Sequence, residues 1–250
     1  MTPRFRIALL ATTLLLAAAA AGISTWLMWL PCQGTMFNGL LGLREASGFS
    51  DACLARMDGN GALPLAIGMV EFRALSAILL ALGWWTYASA LRISQVHGAS
   101  RASRVSQILI LLPILPIVWF AAKTLLATDG GTIWEATSAA ATISLTSALA
   151  GIVILLHPAE NRTRYVGLIG LCGVASYGAV HAAGDYMLMI SLHTANWDVP
   201  PGTGYVTALV MAVCGVVVAV WGWRSTRAQE ETPHSAPSDS LRATSLATSI

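Results

Sequence analysis

Charged residues are scarce in this chain of 250 residues: they make up 10% of the sequence, whereas hydrophobic residues make up 56%. An ordinary soluble domain carries roughly 25% charged residues, so this composition is that of a membrane protein. The net charge of +2 is too small to indicate a nucleic-acid surface. Lys123 is the only lysine, and the abundance of arginine, alanine and glycine is typical of a GC-rich bacterial genome.

Cysteine is also rare, and the four cysteines form no recognisable reactive motif. The sequence contains no CxxC pair, no cysteine and histidine cluster with zinc spacing, and no GxSxG, HExxH or P-loop motif. It therefore predicts neither a metal site nor a cofactor. Cys172 and Cys214 lie in apolar runs, where a thiol usually serves as a small packing residue.

Long apolar runs occupy most of the chain. A helix needs about 20 residues to cross a hydrocarbon core about 30 Å thick, and backbone in lipid must satisfy its hydrogen bonds internally. The sequence thus predicts an all-α polytopic membrane protein. Its six transmembrane helices are expected near residues 7–30, 64–93, 105–126, 132–157, 165–192 and 204–223. Pro113 and Pro116 should kink the third helix, because each lacks a backbone donor.

Basic residues fall in every second connection between these runs. Arg4 and Arg6 precede the first run, whereas segments 128–131 and 193–202 carry no lysine or arginine. By the positive-inside rule, we expect both termini to be cytoplasmic. We also expect the membrane to be the plasma membrane. The six helices form one domain, residues 1–224, and the polar residues 225–250 are predicted to be a disordered cytoplasmic tail. Alternatively the first run is a cleaved signal peptide, which would leave five helices.

The longest connection, residues 31–63, lies on the outer side in this topology. Cys32 and Cys53 are its only cysteines, and disulfides persist outside the cytoplasm, so we expect them to pair. Phe49, Cys53 and Met57 recur at helical spacing, which predicts a short amphipathic helix. The outer loop is thus expected to form a stapled cap on the membrane surface.

Six ionisable residues lie within the apolar runs: Glu71, Arg73, Lys123, Glu135, His181 and Asp185. Counting about 1.5 Å per residue from the cytoplasmic arginines places all six near the outer boundary. The bilayer centre would then hold no charged residue, which argues against a proton path made of charged side chains. Asp185 falls near a helix C-terminus, the unfavourable end of the helix dipole for a carboxylate, so it needs a partner. The candidate partners are His181, Lys123 and Arg73.

His181 and Asp185, four residues apart on one helix face, allow two interpretations. They form either a structural ion pair or the base and orienting acid of an outward-facing catalytic pocket. In that pocket Glu135 or Glu71 would be a second acid, and Arg73 and Lys123 would be candidate binding residues.

No complete catalytic set can be read from the sequence. It therefore favours a non-enzymatic membrane component: a partner protein, an assembly factor or a permease-like subunit. Its predicted contacts are the lipid bilayer and either another membrane protein or further copies of itself.

Overall fold

The computed structural model describes residues 2–32, 50–57, 67–89, 91, 100–127, 139–156, 161–185, 187–188 and 202–230. These residues are almost entirely helical and include no strand. Their α-helices are α1 (Pro3–Met28), α2 (Asp51–Met57), α3 (Met69–Ala88), α4 (Ser100–Leu111), α5 (Ile114–Leu125), α6 (Ala140–Leu156), α7 (Asn161–Val174) and α8 (Tyr205–Glu230). Short 3-10 turns occupy Leu30–Cys32 and Ala175–Tyr177, and a π-helical turn occupies Val180–Asp185.

Four helical segments in the described ranges are long and apolar enough to cross a membrane. They are Arg4–Met28, Met69–Ala88, Arg104–Leu125 and Tyr205–Gly222. A fifth helix, α6, is apolar but shorter. The prediction of an all-α membrane-type fold is confirmed at this level.

The first helix lies at the centre of the bundle and is antiparallel to both α3 and α8. Close contacts near both of its ends establish these directions. The neighbouring pairs are Ile7–Gly222 and Thr25–Gly204 for α8, and Thr13–Gly83 and Ser24–Met69 for α3. The start of α1 and the last part of α8 therefore share one end of the bundle, which we call the terminal end.

The remaining helices continue the alternation of directions. The pairs that establish it are Trp84–Ile110 and Arg73–Phe120 between α3 and the α4–α5 segment, Leu10–Gly170 and Leu14–Gly173 between α1 and α7, and Ser144–Gly178 and Ile154–Gly167 where α6 meets the fifth segment. Six helical segments of the described chain thus run alternately up and down.

A small cluster closes the opposite end of the bundle, which we call the cap end. Cys32 and Cys53 are paired there, so the predicted disulfide is confirmed. Trp29 and Met57 are buried with them. The predicted amphipathic helix is α2, although Phe49 lies outside the described residues. The Trp29 indole N–H donates to the Thr203 carbonyl oxygen at 3.0 Å, which ties the cap to the start of α8.

Two predicted helices are interrupted. The third helix is interrupted at Pro113, because α4 ends at Leu111 and α5 begins at Ile114, whereas Pro116 lies within α5. The fifth helix, predicted to be continuous over 165–192, instead stops at Val174 and passes through the 3-10 turn before the π-helical turn. Gly178 lies there against Ser144 of α6, with no room for a Cβ atom, and this close approach accompanies the break.

The last helix is longer than predicted. It continues to Glu230, so the predicted start of the tail at residue 225 falls inside it. Residues 231–250 lie outside the described part of the chain.

Candidate functional site

Asp185 is fully buried at the cap end, with 0% of its surface exposed. Its carboxylate accepts hydrogen bonds from the backbone N–H groups of Val206 at 2.8 Å and Thr207 at 3.0 Å, and from the Thr207 hydroxyl. These backbone groups belong to the first turn of α8, where free N–H groups and the helix dipole favour a negative charge. The partner that Asp185 required is therefore the N-terminus of another helix, together with His181.

A glycine precedes the start of α8. The residue before the helix is Gly204, with φ of +115°, and a Cβ atom there would collide with Thr25 of α1. Because Gly204 has no side-chain oxygen to offer, the first N–H groups of α8 need an acceptor from elsewhere. Asp185 provides it from the preceding helical segment.

His181 connects Asp185 to a third helix. Its Nδ1 lies 3.3 Å from Asp185 Oδ2 and 3.2 Å from Thr207 Oγ1, and its Nε2 lies 3.5 Å from a terminal nitrogen of Arg73. Arginine can only donate hydrogen bonds, so Nε2 must be the acceptor and Nδ1 must carry the proton. These contacts assign the neutral tautomer, with both ring nitrogens engaged.

Arg73 enters the cluster from the second turn of α3, and only 8% of its surface is exposed. Its guanidinium carbon lies 5.4 Å from the centre of the Phe120 ring, a cation–π distance, and that ring packs against Tyr177 at 4.8 Å between centroids. The cluster thus joins α3, α5, the π-helical turn and α8.

The π-helical turn presents two of the polar groups in this cluster. The preceding 3-10 turn places Tyr177 against Phe120, and the wider π-helical turn then carries His181 and Asp185 to α8. Because π-helical turns recur at functional sites, this turn makes the region a candidate functional site.

Two other predicted site residues, Lys123 and Glu71, lie outside the cluster. Lys123 is exposed on α5, where its Nζ lies 5.3 Å from the ring of Trp119, so it is not a partner of Asp185. Glu71 is exposed in the first turn of α3. Glu135 lies outside the described residues. Of the five described residues predicted at this level, Arg73 and Asp185 are buried, the His181 side chain is 12% exposed, and Glu71 and Lys123 are exposed.

The sequence did not predict two members of the cluster, Thr207 and Tyr177. Thr207 lies in an apolar run that gives it no distinguishing pattern; the available signal was Gly204, which has no side-chain oxygen with which to cap a following helix. Tyr177 had no signal, because its proximity to Phe120 depends on tertiary packing. Among the described residues, no group of three or more metal-ligating side chains could hold a metal ion.

The chain matches no protein-family model, and comparison with curated proteins and with solved structures gives no significant match. The chemistry of the cluster is therefore the basis for a functional proposal. Chemically, the cluster holds a carboxylate saturated with donors, a neutral imidazole and a buried guanidinium.

Proposed function

We propose that the chain is a six-span protein of the plasma membrane with both termini in the cytoplasm. Six alternating helical segments support this topology, four of them long and apolar enough to span. Arg4, Arg104 and Arg224 are exposed towards the terminal end, as the positive-inside rule requires of a cytoplasmic face. The disulfide at the opposite end fits an oxidising compartment.

We further propose that the protein is a non-enzymatic membrane component. One observation carries this proposal: the Asp185 carboxylate is fully buried and is occupied by the first turn of α8 and by His181. A general base needs a lone pair directed at a substrate, whereas the free lone pair of His181 faces Arg73. The cluster is therefore a junction that holds helices together, and the protein acts through contacts with another membrane chain.

A membrane enzyme is the alternative, and one feature favours it. A carboxylate holds Nδ1 of His181 in place, as in many acid–base sites, and the contact of 3.5 Å to Arg73 is the longest in the cluster. Displacement of Arg73 by a substrate would expose Nε2 as a base.

Replacement of His181 separates the two proposals. His181→Asn keeps an N–H donor near the position of Nδ1 but cannot act as a base, whereas His181→Ala removes the donor. We expect the asparagine variant to accumulate in host membranes like the wild type and to complement a deletion strain, and the alanine variant to lose abundance. An asparagine variant that accumulates normally yet behaves like the deletion would contradict the non-enzymatic proposal and support the enzyme.

The permease-like version makes a separate prediction. Purification in mild detergent should then recover an ATPase in fixed ratio with the chain, and the His181→Asn variant should retain it. Recovery of the chain without an ATPase would exclude that version, leaving the partner or assembly-factor roles. Thr207→Val, which removes one hydroxyl from the junction, is the matched structural control for His181→Asn.

A further inference from the structure

Arg73 has more hydrogen-bond donors than the described residues use. A guanidinium carries five N–H groups. Within the described part of the chain, its one hydrogen-bond contact is the long one to His181, and its flat face lies over Phe120. No described carboxylate lies within ion-pair distance, although Asp185 is near enough to interact electrostatically. A buried cation with so few acceptors is unfavourable unless another group supplies them.

A second unused donor lies beside the same aromatic ring. The Tyr177 hydroxyl is buried near Ser76 but has no hydrogen-bond partner at bonding distance among the described residues. Ser76 donates its own proton to the Ala17 carbonyl oxygen at 2.8 Å, and its oxygen is not within bonding distance of the Tyr177 hydroxyl. Tyr177 and Arg73 both contact Phe120 and interact electrostatically with each other. A buried hydroxyl with no partner among the described residues and a guanidinium with unused N–H groups thus both lie beside the Phe120 ring.

We propose that Arg73 and Tyr177 bind a small oxyanion, such as a carboxylate, between α3, α5 and the 3-10 turn before the π-helical turn. The guanidinium would donate two parallel N–H bonds to the oxygens, the geometry in which arginine recognises carboxylates, and the tyrosine hydroxyl would donate a third. Both side chains are more than nine-tenths buried, which restricts the anion to the size of formate or acetate.

The depth of the site agrees with this ligand. Arg73 lies four residues from the start of α3, about 6 Å along the helix axis, so an anion could arrive from solution or from the lipid headgroups. Asp185, the nearby carboxylate, does not compete for Arg73, because its oxygens face the first turn of α8. A free carboxylate and a headgroup phosphate share the same chemistry, and experiment separates these two sources.

The test measures thermal unfolding of the full chain in nanodiscs of phosphatidylcholine during titration with sodium formate, with sodium chloride at equal ionic strength as the reference. We expect a saturable rise in the unfolding midpoint with formate. Nanodiscs that contain phosphatidylglycerol test the headgroup: a rise there without formate identifies the lipid phosphate as the source. Midpoints unchanged by either addition would overturn the proposal.

Two conservative variants test the assignment. Arg73→Lys keeps the charge but loses the planar fork, and Tyr177→Phe removes one hydroxyl; each should weaken binding by about tenfold, the loss expected for a charge-assisted hydrogen bond. Without anion, Tyr177→Phe should be as stable as the wild type or more stable, because the hydroxyl it removes is unpaired. Binding that survives both substitutions would overturn the site.

Tyr87→Phe is the matched control. The Tyr87 hydroxyl donates to the Thr163 carbonyl oxygen at 2.7 Å at the other end of the bundle, so its loss should lower the midpoint but leave the formate response intact. The result does not depend on whether the protein is an enzyme, because anion binding is measured without any activity.

Discussion

At the cap end of the bundle, Arg73 and Asp185 are buried and both contact or approach the partly buried His181, whereas Arg4 and Arg224 at the terminal end are exposed. Tyrosine follows a similar division. Tyr87 at the terminal end bonds to a backbone carbonyl oxygen, but the Tyr177 hydroxyl near the cap end has no hydrogen-bond partner in the described part of the chain.

The difference shows that charge has a separate task at each end. Exposed arginines act on water and lipid headgroups, and each contributes little to stability. Buried charges hold segments together, and removal of one leaves its partners unpaired in a medium of low dielectric constant. Substitutions at the cap end should therefore have larger effects than comparable substitutions at the terminal end.

Asp185→Ala should give the largest effect. It removes the cap of α8 and leaves Arg73 without a nearby negative charge, so we expect a loss of about 3–5 kcal/mol in the free energy of unfolding. Asp185→Asn, which keeps the shape, should lose less. Denaturant titration in mixed micelles measures both, and an alanine variant within about 0.5 kcal/mol of the wild type would contradict a structural role.

Removal of the cap disulfide should follow in size. The bridge closes a loop with a sequence separation of 21, which corresponds to roughly 3 kcal/mol in the loop-entropy model. The same titration of a Cys32→Ser, Cys53→Ser double variant measures the loss. Alkylation before and after reduction checks that the wild type holds the bond; alkylation of both cysteines without reductant would refute it.

Gly204→Ala tests how closely α8 approaches α1. The positive φ of Gly204 strains any side chain, and the new Cβ would meet Thr25, so we expect a loss of about 2 kcal/mol. Thr25→Ala should recover part of this loss by making room, while the backbone strain remains. A double variant no more stable than Gly204→Ala alone would exclude the collision with Thr25.

Tyr87→Phe should give a smaller effect at the terminal end. It removes one hydrogen bond to the Thr163 carbonyl oxygen, which contributes about 1 kcal/mol. Arg104→Gln, at an exposed position, should change stability by less than about 0.5 kcal/mol. If either substitution destabilised the protein as much as Asp185→Ala, the contrast between the two ends would not hold.

The sequence predicted the features that depend on local spacing. The pairing of His181 with Asp185 followed from helix periodicity, the disulfide from the isolation of two cysteines in one connection, and the interruption of the third helix from Pro113. Each of these relies on neighbours along the chain or on composition.

The sequence could not predict the partners that depend on packing between distant segments. The link from Asp185 to α8 joins residues 21 and 22 positions apart, and nothing in an apolar run reveals which helix end lies beside it. Lys123 looked equivalent to Arg73 by depth, but depth does not tell which face of a helix is directed inwards. The break before the π-helical turn likewise arises from contact with α6.

The junction between Asp185 and the first turn of α8 is the central claim, and a double-mutant cycle between Asp185→Ala and Thr207→Val tests its side-chain bond most directly. The free energy of unfolding is measured for the wild type, both single variants and the double variant. A junction predicts non-additive losses, with a coupling energy of about 1 kcal/mol or more. Losses that add to within about 0.3–0.5 kcal/mol would show that the two side chains act independently, and would contradict the account.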